Sequence, residues 1–126
     1  MRKNMKRILI VDDIPEYVNS LKNALQNDYE VVIASSLTEA KKKSAADIDA
    51  YLVDIRLDEN DPDNCDGIIF LEWLKKEYPA QPTILMSAYS DSKMENEVMR
   101  KGASDFMKKP IFLADLRKKL ECLIRD

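Results

Sequence analysis

Five short runs rich in apolar residues punctuate the chain: RILIV (7–11), EVVIA (30–34), AYLVD (50–54), TILMS (83–87) and SDFMK (104–108). Each has the length of a strand buried on both faces, and each is followed by a segment with helical spacing. Val18, Leu21 and Leu25 form one stripe after Pro15, a residue suited to the first helical turn. Ser36 and Glu39 have the spacing of a capping box that opens a second helix. Ile68, Leu71 and Leu74 mark a third, which Pro79 and Pro82 prevent from continuing. Residues 91–101 read as a fourth helix through Met94 and Val98, ending at Gly102, and Leu113, Leu116, Leu120 and Leu123 line a fifth. A strand–helix unit repeated five times predicts an α/β fold, a parallel sheet covered by helices on both sides.

At 126 residues, 45% apolar and 34% charged, the chain fits one domain with a real core, residues 1–126, and leaves no room for a second. The net charge of −3 gives no sign of nucleic-acid binding, and the basic opening MRKNMKR reads as a solvated start. ILIV is too short for the roughly 7–15-residue apolar core of a signal peptide. No run of about 20 apolar residues exists, so a soluble, cytoplasmic protein without membrane contact is expected. Cys65 and Cys122 lack metal-type spacing and are expected as free thiols. The chain has no histidine, which removes Ser-His-Asp and Cys-His catalysis, His-bearing zinc sites and a phosphohistidine carrier. Carboxylate, amine and hydroxyl chemistry remains.

In open sheets of this kind ligands bind beyond the carboxyl ends of the strands. That rule selects Asp12 and Asp13 after the first strand, Asp54 ending the third, Ser87 ending the fourth and Lys109 after the fifth. Taken singly each has an ordinary reading. An aspartate before a helix is commonly a cap, one at a strand end a turn residue, and a lysine there a surface amine. Three carboxylates, a hydroxyl and an ammonium converging from different strand–helix junctions are harder to explain that way.

IVDD at 10–13, YLVD at 51–54, ILMSA at 84–88 and KKP at 108–110 resemble, in order and across essentially the whole chain, the four landmarks of the response-regulator receiver domain of two-component signalling. The resemblance implies a doubly wound, flavodoxin-like (βα)5 fold with strand order 2-1-3-4-5. It implies Mg2+ held by Asp12, Asp13, the Asp54 side chain and the Arg56 carbonyl, oxygen ligands of the kind this ion prefers. Asp54 would be the nucleophile that takes phosphate from a phosphohistidine on a sensor histidine kinase or histidine phosphotransfer protein. Lys109 would pair with a phosphoryl oxygen. Ser87 would hydrogen-bond the phosphoryl group and pull its loop, small Ala88 would leave access open, and the change would reach Phe106 on the fifth strand. Phenylalanine lacks a hydroxyl, so a tyrosine-type hydrogen bond is unavailable there, and ordinary core packing is an equal reading. Lys109-Pro110 would be a cis peptide. Arg56 and Tyr89 match positions that influence how long the aspartyl phosphate survives, Tyr89 by screening it from water.

The protein implied is a switch, not an enzyme beyond its own phosphorylation and dephosphorylation. Its fourth helix, fifth strand and fifth helix would meet output partners and support a phosphorylation-dependent dimer, with Arg100, Lys101, Arg117, Lys118 and Lys119 making that surface basic. A magnesium phosphohydrolase is the competing enzyme reading, but haloacid-dehalogenase-like phosphatases want an acid two residues after the nucleophile, and Ile14 or Pro15 follows the Asp12-Asp13 pair. An inert module of the same shape is a third. The stretch RLDENDPDNCDG departs from the family by its length. It reads first as a solvated, mobile acidic loop, and more sharply as a contact for a basic partner or a repellent for small anionic phosphodonors. Its acids do not make an EF-hand, because Gly67 falls at the seventh loop position and Cys65 at a ligand position. The chain is expected to be either a complete single-domain regulator or a receiver from a longer protein.

Overall fold

The computed structural model describes residues 5–89 and 92–124. Five strands alternate with five helices: β1 Lys6–Val11, α1 Pro15–Leu25, β2 Tyr29–Ala34, α2 Leu37–Lys43, β3 Ala50–Asp54, α3 Asp66–Glu77, β4 Thr83–Ser87, α4 Ser92–Arg100, β5 Asp105–Lys108 and α5 Leu113–Leu123. The strands form one parallel sheet in the order β2-β1-β3-β4-β5, so the chain reverses its direction of travel between β1 and β3. The start of the fourth helix expected at Asp91, like the first four residues of the basic opening, lies outside the described residues.

Alternating side chains build two cores. Leu9, Val11, Tyr51, Val53 and Leu85 face α2, α3 and α4, where Ala40, Phe70, Leu71, Leu74 and Val98 meet them. Ile8, Ile10, Leu52, Ile84 and Met86 face α1 and α5, packing on Leu21, Leu25, Leu116 and Leu120. Burial on both faces holds for β3, β4 and most of β1, but not for every strand as the apolar runs suggested. β2 and β5 are the sheet edges and are largely half-buried. Leu113 and Leu123 are likewise only partly covered, at the two ends of α5.

The helix starts follow the expected chemistry with one shift. Ser36 Oγ accepts the Glu39 N–H at 3.1 Å, while the Glu39 carboxylate reaches back one residue further than a capping box requires, to the N–H of Ser35 at 2.6 Å. α1 opens on Pro15, and its N-cap is Ile14, so neither Asp12 nor Asp13 is spent on capping. Gly102 ends the α4 segment with φ of 108°, a backbone state that glycine enters without a steric cost.

Gly67 fixes how closely α3 approaches the end of β3. Its N–H bonds the Ile55 carbonyl at 2.9 Å, and a Cβ there would lie 2.1 Å from the Asp54 carbonyl oxygen and 2.7 Å from the Ile55 Cα. Backbone cannot yield as a flexible side chain can. Gly67→Ala is expected to lower the unfolding free energy by about 3 kcal/mol, at the upper end for overpacking. Urea denaturation checks this, and a loss below about 1 kcal/mol would contradict so tight an approach.

Candidate functional site

Hydrogen bonds that extend the sheet ladder place the polar residues at its carboxyl edge. The Asp12 N–H bonds the Ala34 carbonyl at 3.1 Å, one step beyond β1, and the Lys109 N–H bonds the Ser87 carbonyl at 2.9 Å, one step beyond β5. Asp54 pairs with Met86 in register, and Ser87 with Lys108. Four strand ends therefore present their side chains to one small volume.

Lys109 Nζ lies 2.7 Å from Asp12 Oδ2 and 3.0 Å from Asp54 Oδ2. The two aspartates are only 1% and 5% exposed, so water screens neither ion pair well. Asp12 Oδ1 accepts the Ile14 N–H at 2.9 Å, and Asp54 Oδ1 receives a long 3.4 Å contact from the Arg56 N–H. Asp13 Oδ2 accepts the Glu59 N–H at 3.0 Å, whereas its Oδ1 is shielded from solvent and finds no partner among the described residues. One carboxylate oxygen from each of Asp12, Asp13 and Asp54 lies within 4.8 Å of the others.

This donor set fits a hard divalent cation. Among the described residues, these three carboxylates pair with one ammonium, which leaves two negative charges uncompensated, and one shielded oxygen lacks a donor. An all-oxygen ion such as Mg2+ satisfies both deficits, and no nitrogen or sulfur competes for it.

Burial pushes the Asp54 carboxyl up to about 6, the charge of Asp12 adds to the shift, and Lys109 opposes it. Burial also raises Asp12 against its bond to Lys109. For Lys109 burial works toward a lower value, but its bond to Asp12 and the charges of both acids outweigh it, so the ammonium is held charged.

A cavity of about 60 Å³ opens beside Asp54, lined by Arg56, Glu59, Ser87, Ala88, Tyr89 and Lys109. Ser87 Oγ does not reach toward the carboxylates. It donates to the Tyr89 carbonyl at 3.0 Å and accepts the Tyr89 N–H at 3.1 Å. Ala88 is exposed, and the Arg56 guanidinium lies 4.6 Å from the ring of Tyr89, a residue 67% exposed. The Lys109-Pro110 peptide is cis. Phe106 stands apart from this cluster, half-buried against the α4 side of the core. With Phe112 and Lys118 it lines a separate cavity of about 310 Å³.

The acidic stretch is exposed from Asp58 to Asp63, as a solvated loop would be, and its own side chains turn it: Asp58 Oδ1 accepts the Asn60 N–H and Asp61 Oδ1 the Asp63 N–H, both at 3.0 Å, while Leu57 is buried. One expectation changes: the basic output surface is weaker than the residue types suggested. Lys101 pairs with Glu72 and Lys119 with Asp105, while Arg117 turns to Asp28 and the Ala24 carbonyl near the end of α1. Sequence reasoning passed over Tyr17 and counted Glu59 only among the acids of the loop. Lys109 Nζ sits 4.3 Å from the Tyr17 ring, a cation–π contact that helix spacing alone did not announce. Cys65 and Cys122 remain thiols, exposed at the surface. No helix among the described residues is long and apolar enough to cross a membrane.

The raised Asp54 value has a consequence for stability. The folded carboxyl binds its proton more tightly than an ordinary aspartate at 3.8, so its contribution is fully present below about pH 4 and is lost as pH rises through about 6. In chelator at pH 7.5, Asp54→Asn is expected to be about 1–3 kcal/mol more stable than the parent, with the gap narrowing as pH falls toward 4. Urea melts of both proteins across that range check it, and a parent more stable than the variant at pH 7.5 would contradict it.

The chain matches the family model of the response regulator receiver domain over residues 8–121. It is 33% identical over 116 residues to the transcriptional regulatory protein ZraR of Escherichia coli (strain K12), a match covering 90% of this chain and 25% of that protein. The chain thus spans about a quarter of the length of the curated relatives it matches. Among solved structures, a CheY-like response regulator receiver domain from Methanospirillum hungatei JF-1 superimposes with a TM-score of 0.82 at 32% identity, covering 93% of this chain and 91% of that one. The beryllofluoride-activated NtrC4 receiver domain dimer does so at 0.82 and 26% identity, covering 95% and 97%. By family model, sequence and fold, this chain belongs to the response regulator receiver domains.

Proposed function

We propose that residues 1–126 form one receiver unit in which Asp54 accepts a phosphoryl group from a phosphohistidine on a sensor histidine kinase or histidine phosphotransfer protein. The observation that carries this reading is Lys109 held between Asp12 and Asp54, beside a shielded Asp13 oxygen that lacks a donor. Mg2+, held by Asp12, Asp13, Asp54 and the Arg56 carbonyl, would supply charge neutralisation to a phosphoryl oxygen when bound. Asp54 forms the new O–P bond as the histidine N–P bond breaks and the imidazole nitrogen keeps the electron pair. Lys109 pairs with a second phosphoryl oxygen from where it already stands. The chain catalyses nothing beyond gaining and losing this group.

Ser87 links the site to the rest of the molecule. Its hydroxyl must leave the Tyr89 backbone to donate to the phosphoryl group, which draws the segment after β4 inward. Phe106 pairs with Leu85 in register and responds through ring packing, since it has no hydroxyl to rebond. Ala88 keeps the entrance open to the donor, while Tyr89, stacked on Arg56, screens the acyl phosphate from water. The surface of α4, β5 and α5, with Phe112 72% exposed, then meets an output partner. An activated dimer is the form the NtrC4 structure takes, and a phosphorylation-dependent dimer is proposed here too. Transcriptional output, the role in the name of ZraR, would belong to further domains, since this acidic unit has no nucleic-acid footprint of its own. A cytoplasmic setting fits these partners.

Incubation with MgCl2 and acetyl phosphate is expected to add the mass of one phosphoryl group, and Asp54→Asn to abolish it. No modification of the parent would leave an inert module of the same shape, and turnover of free phosphomonoesters would favour the phosphohydrolase. After the donor is removed, Tyr89→Ala is expected to lose the group about fivefold faster, worth about 1 kcal/mol on the barrier. Equal lifetimes would remove the screening role.

A further inference from the structure

The acidic loop between β3 and α3 is closed at its neck and tied to the site at its tip. Asn64 Oδ1 accepts the N–H groups of Leu57 at 2.9 Å and Asp66 at 3.0 Å, drawing the two ends together over buried Leu57. At the tip, Glu59 uses both sides of its main chain. Its N–H donates to Asp13 Oδ2 at 3.0 Å, and its carbonyl accepts the Arg56 guanidinium at 3.2 Å. Arg56 is itself braced on Tyr89, whose backbone holds the Ser87 hydroxyl. With Asp13 Oδ2 engaged, the shielded and unpartnered oxygen of that carboxylate is Oδ1.

A hydrogen bond to one oxygen of a ligating carboxylate fixes which lone pairs face the ion, and losing such outer contacts typically weakens metal binding by about 10–100-fold. Resting on the reading of Asp12, Asp13 and Asp54 as a cation site, we propose that loop 57–66 is a positioning element for that cation: the main chain of Glu59, braced by Arg56, holds Asp13 so that its second oxygen is left for the ion. The contact is a peptide N–H, so the loop acts through its shape and not through the charge of its acids. By linkage the coupling runs both ways, and whatever factor the ordered loop contributes to Mg2+ affinity, bound Mg2+ returns to the loop.

The test titrates MgCl2 by calorimetry into the parent and into loop variants that remain folded in chelator. Asn64→Ala, which opens the neck without touching the site, is expected to weaken Mg2+ binding about tenfold. Asn64→Asp, made together with Asp63→Asn to keep the loop charge, restores the acceptor and brings affinity back to within about threefold of the parent. Glu59→Gln keeps the N–H and stays within about twofold. Amide hydrogen exchange of Glu59 in the parent gives an answer that needs no variant, and saturating MgCl2 should slow it by the factor lost in Asn64→Ala. A parent that binds Mg2+ with an unchanged Glu59 amide, or an Asn64→Ala that binds as tightly as the parent, overturns the proposal and leaves the function standing. A Glu59→Gln that loses as much as Asn64→Ala overturns it in favour of charge, and a parent that takes no Mg2+ overturns both.

Discussion

The Lys109 ammonium bridges Asp12 and Asp54 where the protein shields all three groups from water. Removing the shared ammonium would strand both buried carboxylates, a loss typically of about 3–5 kcal/mol. The bridge is therefore firm, yet it does not balance the site. Asp13 brings a third carboxylate within reach of the other two and keeps one oxygen without a donor among the described residues. An arrangement still short of positive charge could hold a metal ion.

The sheet makes that arrangement possible at little local cost. Hydrogen bonds from the Asp12 and Lys109 N–H groups continue the ladders of β1 and β5 past the last strand residue, so the backbone that carries these charges is tied to the sheet. Gly67 lets α3 close against the peptide that follows Asp54. Ser87 differs from these. It sits at a strand end with little exposure, but its hydroxyl bonds its own loop, so it can change partners without disturbing the sheet.

Much of this was legible in the sequence, because strand ends are marked where apolar runs meet acids. The runs ending in Val11, Asp54 and Ser87 located β1, β3 and β4, and the order of strands came with the family resemblance. What stayed hidden depended on contacts between distant segments. The edge strand β2 carries an apolar run, VVIA, like those of the central strands, and only its neighbours decide that it is half open. Arg117 counted as an output residue by its charge, whereas its partners lie near the end of α1. Glu59 looked like one acid among several because its contribution is a backbone N–H, which every residue but proline possesses.

The most direct measurement is the titration of the Asp54 carboxyl by carbon-detected nuclear magnetic resonance, without and with Mg2+. This account predicts a value near 6 without the ion, set by burial and by Asp12, and a fall of at least about one unit when Mg2+ saturates the site. An ordinary aspartate value that Mg2+ leaves unmoved would contradict it.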